Sequence, residues 1–275
     1  MCRILNVSVG GYYAYLRRSQ SKRDLSNEIL LRLIKVIFKQ NKQRYGSPRI
    51  YAELKAQGQH CSLNRVARIM RENSLHAKAR RKFKATTNSK HNLPVAENLL
   101  DQDFSAPAAN QVWVADITYI WTQEGWLYLA AILDLYSRRI VGMAMSARID
   151  RHLVILAFQQ AIVRREISNG LIHHSDRGVQ YASHDFQAEL KRCGALCSMS
   201  DKGNCVDNAA MESFFHTLKM ELVYWENYQT RREAIANIFE YVEVFYNNQR
   251  RHSTLGYLSP REFELSNGVS IRGVH

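Results

Sequence analysis

Three acids stand on separate predicted elements, two of them in apolar strand-like runs. Asp116 lies inside the apolar run Trp113-Val-Ala-Asp116-Ile-Thr-Tyr119. Asp176 closes the stretch Leu171-Ile-His-His-Ser-Asp176, just before a glycine turn. Glu212 stands beside Met211, Phe214, Phe215, Leu218 and Leu222, whose three- and four-residue steps predict a helix with one apolar face. A carboxylate in an apolar strand is unfavourable unless it is paired or bound to a metal. Three acids on separate elements point to a metal site. Lys219 follows Glu212 by seven residues, about two turns along on nearly the same face. A carboxylate and an ammonium facing one way suit a metal and a phosphate.

The elements that must position these groups alternate between strand and helix. Residues 111–120 read as a first strand, and residues 126–136 as a second, joined by a tight link at Glu124-Gly125. A third strand spans 140–146. A helix over 151–166 carries Leu153, Leu156, Ala157, Gln160, Ala161 and Val163 along one side. Then come a strand at 171–174, a helix at 183–193 capped by Ser183, a strand at 195–199 and the Glu212 helix, capped by Asp207 or Asn208. A further helix runs from about Arg231 to Asn248.

The words around the acids are specific. "WVADITYI", "HHSDRGVQYAS", "KGNCVDNAAMESFFHTLKME" and "YNNQRRHSTLGYLSPREFE" occur in that order, with thirty-five residues between Asp176 and Glu212. This resembles the D,D,35-E pattern of retroviral integrases. It resembles still more closely the OrfB-type catalytic subunit of transposases from the insertion-sequence family often called IS-three. The resemblance runs from about residue 40 to 265 and includes the lysine seven residues after the glutamate. It implies a ribonuclease H-like α/β core in which Asp116, Asp176 and Glu212 converge and hold two Mg²⁺ ions, with Mn²⁺ as a substitute. Asp116 is then the shared ligand, with Asp176 and Glu212 each holding one ion. Two such ions can activate a nucleophile and stabilise the charge of phosphoryl transfer. Water would free a 3′-hydroxyl at the element's end, and that hydroxyl would attack a second phosphodiester.

Other residues near these words carry further readings. Lys219 contacts a DNA phosphate, or pairs with Glu212 or Glu221 on an exposed helix. Asn208 orients Glu212 or touches DNA. Asp134 is the rival ligand, although its place at a strand end suits a turn. His173 reads as a packed strand residue and His174 as lining the site, while Gly178 and Gln180 shape the loop after the fourth strand. Asp201 is an unexpected acid in the loop before the Glu212 helix.

Charge is distributed unevenly over the 275 residues. The net +13 comes wholly from residues 1–100, which hold 21 Lys/Arg against 5 Asp/Glu, while the remainder holds 17 against 20. A basic excess confined to one segment points to a polyanion, DNA above all. Residues 1–20 read as a turn and a helix, and residues 24–40 as a helix with Leu25, Ile29, Leu33 and Ile37 about a turn apart. Ser47-Pro48 and Ser62 start two more helices around a short glycine-containing link, a helix-turn-helix-like pair over 47–73. Arg65, Arg68 and Arg71 on its second helix are candidate DNA contacts. Residues 76–92 carry six Lys/Arg and no acid, so Arg80, Arg81 and Lys82 suit a linker lying along a DNA backbone, or a free tether. The tail, with Arg250, Arg251 and His252, either touches DNA or caps the core.

These readings divide the chain into a helical DNA-binding region (1–75), a basic linker (76–110), a catalytic core (111–230) and a C-terminal helix and tail (231–275). Five cysteines without a matching ligand set argue for thiols in a reducing cytoplasm rather than zinc. No run is long enough to span a membrane, and no signal-peptide pattern opens the chain. The family resemblance implies a homo-oligomer on DNA, and a partner from an upstream frame that carries a full helix-turn-helix and a leucine zipper absent here. Rival readings are a nuclease of the same fold, a non-catalytic DNA-binding regulator and a decayed transposase.

Overall fold

Serine side chains set several helix starts in the first 78 residues. Ser8 accepts from the Gly11 amide to open α1 (Val9–Leu16), none of whose residues is buried. Ser21 and Asp24 form a reciprocal capping box at α2 (Lys22–Gln40), satisfying two amides that would otherwise lack partners. Ser62 caps α4 (Leu63–Glu72) through the Arg65 amide. The start of α3 (Ser47–Ala56) differs from expectation: Gly46 takes the cap position, Ser47 is already helical, and no side chain caps the turn. Pro48 offsets this, since a first-turn proline removes one amide that would lack a partner anyway.

The computed structural model describes residues 2–4, 6–78, 96–100, 105–167, 170–200 and 208–269. The chain divides into two compact units, residues 1–78 and 79–275. In the first, α2, α3 and α4 enclose Leu30, Ile34, Ile37, Phe38, Ile50, Leu54, Val66, Ile69 and Met70. Of the stripe expected on α2, Ile37 is buried but Leu25 and Ile29 are exposed. That helix is apolar on several faces, so periodicity could not choose among them and packing against α3 and α4 did.

The second unit is built on a sheet ordered β3-β2-β1-β4-β5. Strands β1 (Val112–Thr122), β2 (Gly125–Asp134) and β3 (Ile140–Ser146) form an antiparallel meander. The turn between the first two needs Gly125, whose φ of +104° is poorly tolerated by any side chain. Helix α5 (Arg151–Arg164), capped by Asp150, then crosses to β4 (Ile172–Ser175), which lies parallel to β1. Helix α6 (His184–Arg192), capped by Ser183 as expected, leads to β5 (Leu196–Met199). The order of strands and helices agrees with the sequence reading.

Trp113 and Ala115 of β1 share one core with Leu153, Val154, Ala157, Phe158 and Ala161 of α5. Leu156 and Val163, expected on that side, are exposed instead, and Gln160 donates no apolar surface but accepts the Met143 amide at 2.7 Å. Close approach of α5 to β3 depends on Gly142: a Cβ there would meet the Ala157 carbonyl at 2.2 Å.

The C-terminal elements are α7 (Ala209–Glu221), α8 (Arg231–Phe239) and α9 (Pro260–Ser266). The helix expected from 231 to 248 instead widens into a π-helical stretch over Glu240–Tyr246. Tyr241, Val242, Phe245 and Tyr246 are all buried there. Asn247 follows, and its side-chain amide bonds both backbone groups of Ile140, at 2.9 and 3.0 Å, as a neighbouring strand would.

Candidate active site

Strand β1 carries the first acid at the middle of the sheet. The parallel register sets Val112 beside Ile172, Trp113 beside His173 and Val114 beside His174. Two residues further on, the same offset places Asp116 level with Asp176, the first residue past the end of β4. Residues at matching positions of parallel strands share a face, so the register itself directs the two carboxyl groups together. Beyond this point β1 continues without β4 as a ladder partner.

Each acid is held by a backbone amide. The Ile117 amide donates to Asp116 Oδ1 at 2.7 Å, and the Gly178 amide donates to Asp176 Oδ1 at 3.0 Å. Gly178 cannot be larger without moving the acid, because a Cβ would stand 2.9 Å from Asp176 Oδ1 and 3.0 Å from Gln180 Oε1. Arg177 Nε donates to the Ser200 carbonyl at 2.6 Å and ties the loop to the residue after β5.

Helix α7 brings the third acid. Glu212 lies exposed in its first turn, where the helix dipole favours a negative charge. Asn208 occupies the cap position but makes no cap bond. Its Nδ2 donates instead to the Ala115 carbonyl at 3.2 Å, and so pins the start of α7 next to Asp116. Asn208 is buried, and its amide links the start of the Glu212 helix to β1. Lys219 is half-buried two turns on, with Nζ 4.9 Å from the centre of the Tyr119 ring. Glu221, considered as its partner, is buried and bonded to Arg250 and Tyr241.

Burial, reinforced by Asp176 and then Glu212, pushes the Asp116 carboxyl up to about 8 against the pull of the Ile117 amide and Lys219. Burial also lowers Lys219, an effect partly offset by Asp116. Among the described residues, no three His, Cys, Asp or Glu side chains converge tightly enough to cage a metal as they stand. Asp176 and Glu212 nevertheless both act on the Asp116 carboxyl.

Sequence reasoning missed one neighbour. The buried Tyr181 phenol is held well above its usual range by burial and by Asp116 and Asp176, and its hydroxyl has no partner among the described residues. Its signal was its place in the word that follows Asp176.

Two family models described as "Integrase core domain" match residues 106–205 and 212–267, and one described as "HTH-like domain" matches residues 25–83. The transposase InsF for insertion sequence IS3A of Escherichia coli K12 is 46% identical over 269 residues, 97% of this chain and 93% of that protein. The chain belongs to the IS3 family of insertion-sequence transposases. The transposase is also 49% identical over 263 residues to the insertion element IS600 uncharacterized 31 kDa protein of Shigella sonnei, covering 96% of this chain and 97% of that one. A chain of the simian T-cell lymphotropic virus intasome, solved with PP2A regulatory subunit B56 gamma, superimposes with a TM-score of 0.50 at 17% identity. That match covers 82% of the transposase and 74% of the other chain, and it shows the shared integrase-type fold. The transposase is thus an enzyme of the polynucleotidyl transferase class, with an HTH-like unit ahead of an integrase core.

Several expected site residues of the transposase do other work. Asp134, the rival ligand, is fully buried and structural: it accepts from the Asn110 and Tyr136 amides and pairs with Arg165. His173 packs between Phe158 and Phe186, and burial drives its pKa down to about 3. His174 is also fully buried, with Nδ1 2.8 Å from Ser198 Oγ, and does not line the site. In the tail, Arg250 is buried on Glu221, Arg251 donates to the Tyr257 carbonyl, and His252 packs on Tyr246. Arg250 and His252 are buried, as the cap reading expects, while Arg251 is half-buried.

In the HTH-like unit, Arg65 Nε donates to Asn27 at 2.9 Å and Nη2 to Ser26 at 2.8 Å, which ties α4 to α2. Arg68 lies 3.9 Å from Glu72, and Arg71 is exposed. Arg80, Arg81, Lys82, Asp201 and Asp207 lie outside the described residues. Cys193 and Cys197 are free thiols and half-buried. Among the described residues, no helix is long and apolar enough to cross a membrane.

Proposed function

We propose that Asp116, Asp176 and Glu212 are the catalytic carboxylates of the transposase and that they hold two Mg²⁺ ions, with Asp116 shared between them. The observation that carries this is the strand register that levels Asp116 with Asp176, with Glu212 and Lys219 acting on the same carboxyl. The donor set fits the metal. Carboxylate oxygens are what a hard cation takes, and a divalent charge would offset the burial and the neighbouring Asp176 and Glu212 charges that raise Asp116. When bound, the ions supply charge stabilisation at the scissile phosphate and an activated nucleophile.

The chain's own groups do the positioning. The Ile117 and Gly178 amides fix one oxygen of each aspartate, and Asn208 holds the Glu212 helix against β1. Lys219 neutralises a phosphate beside the scissile bond. Hydrolysis at the end of the element frees a 3′-hydroxyl, and that hydroxyl then displaces a second phosphodiester in target DNA. The HTH-like unit binds DNA through the exposed face of α4 and the basic segment that follows, Arg68, Arg71, Arg80, Arg81 and Lys82 among them. The working form is a homo-oligomer on paired ends in the cytoplasm, with an upstream-frame protein supplying further end recognition.

The test uses a labelled duplex carrying the DNA ends that flank this gene, with Mg²⁺ or Mn²⁺. Wild type is expected to nick and join, and Glu212→Gln to do neither while still binding. Joining that survives in Glu212→Gln removes Glu212 from the site. Nicking without joining in wild type favours a nuclease.

A further inference from the structure

Three exposed aromatic rings lie along the β1–β2 hairpin past Asp116, on the face of the sheet opposite the Asp116 side chain by strand alternation. Tyr119, Trp121 and Trp126 keep 36%, 54% and 43% of their surface in solvent. Trp126 stands edge-on to both others, with ring centres 5.1 Å from Tyr119 and 4.9 Å from Trp121. One cross-strand pair of this kind would be explained by hairpin stability alone. Three open rings in a row, none buried, exceed that need.

Cations bracket the row. At the catalytic end, Lys219 lies over the Tyr119 ring and acts on the Asp116 carboxyl. At the far end, Arg231 donates from Nε to the Trp126 carbonyl at 3.0 Å, with its guanidinium beside Gly125. Tyr119 is three residues from Asp116, roughly 10 Å along the strand, and Trp121 is roughly 17 Å away. Beyond Val114 no β4 ladder covers this stretch of β1.

We propose that Tyr119, Trp121 and Trp126 form a stacking platform for unpaired nucleotides of the DNA strand next to the scissile phosphate, with Lys219 and Arg231 facing its phosphates. This rests on the catalytic assignment above. The chemistry selects the occupant: every base offers a π-face, and Trp121 and Trp126 keep indole surface open to it beside the Lys219-covered Tyr119 ring. Inside a duplex both faces of a base are already stacked, so the platform favours frayed or single-stranded positions. The ammonium and guanidinium at its two ends suit a polyanion rather than an apolar protein partner.

The test compares the full chain binding a blunt duplex and the same duplex with a three-nucleotide unpaired extension, without divalent cation so that no strand is cut. Trp225→Phe serves as background, because Trp225 is the other exposed indole and Trp113 is buried. Indole fluorescence should be quenched by the extended duplex, which should bind more tightly than the blunt one. Trp121→Ala and Trp126→Ala should each reduce that preference roughly tenfold, within the ~5- to 150-fold worth of one stacked base. Trp121→Phe should restore most of it, and circular dichroism with thermal melting checks that the variants fold. Equal affinity for both duplexes in wild type, or a preference untouched by folded alanine variants, overturns the platform. So does a Trp121→Ala effect on sedimentation without one on DNA affinity, since the rings would then join copies of the chain. Failure of the catalytic assignment is read separately, as joining that survives in Glu212→Gln.

Discussion

Asp116 on β1 stands level with Asp176, the residue just past β4, and burial beside Asp176 pushes the Asp116 carboxyl up to about 8. In the unfolded chain the same group ionises near 3.8. Between those values the folded state keeps a proton the unfolded state has released. The stabilisation is therefore full below about 3.8 and is lost as pH rises through about 8. Metal-free wild type should melt at progressively lower temperature from pH 5 to pH 8, and Asp116→Asn should flatten that slope. At pH 8 the variant should be more stable by roughly 1–3 kcal/mol. Mg²⁺ should raise the melting temperature of wild type and not of the variant.

Lys219 separates a phosphate contact from simple packing. Its ammonium is 4.9 Å from the Tyr119 ring and close enough to act on Asp116. Lys219→Gln should weaken binding of end DNA about tenfold at low salt and reduce the salt slope by roughly one. An unchanged slope with a lower melting temperature would assign it to packing on Tyr119.

Arg250 and Glu221 form a buried pair that also engages the Tyr241 hydroxyl. Arg250→Ala should cost about 3–5 kcal/mol in denaturant unfolding, because it strands a buried carboxylate. DNA affinity of the protein that remains folded should be unchanged. A loss of affinity with stability intact would return the tail to the DNA interface.

Gly142 lets α5 lie on β3. With the Ala157 carbonyl 2.2 Å from a Cβ built there, Gly142→Ala should destabilise by about 3 kcal/mol or more. Urea unfolding checks this, and a change under 1 kcal/mol would mean that α5 shifts freely on the sheet.

Arg65 and Arg71 lie on one short helix and should behave differently. Arg65→Ala removes the bonds to Asn27 and Ser26 and should cost about 1 kcal/mol of stability. Arg71→Ala should leave stability within roughly 0.5 kcal/mol while weakening DNA binding. Equal effects of both on stability would count against a DNA role for Arg71.

Much of the second unit was legible because its signals are local. Alternation and turn residues gave the meander, Ser183 gave the start of α6, and acids in apolar runs marked Asp116 and Asp176. Legibility failed where several faces of an element were apolar, as in α2 and α5, where Leu25, Ile29, Leu156 and Val163 are exposed. It failed again for polar residues whose partners are distant in the chain. Asn247 reads like a loop residue and substitutes for a strand beside Ile140, and Arg250 reads like a DNA contact and is buried on Glu221.

The sequence by itself determined which residue types are available for phosphoryl transfer, their order, and the elements that carry them, since caps, periodicity and turn chemistry act over a few residues. Tertiary structure decided which polar groups are free to act. The offset between β1 and β4 brings Asp116 level with Asp176, and the packing of α7 sets Asn208 on the Ala115 carbonyl and Lys219 on Tyr119. Burial then divides the remaining charges, committing Asp134, Arg165 and Arg250 to ion pairs inside the fold. Those outcomes depend on long-range register and desolvation, which no local stretch of chain encodes.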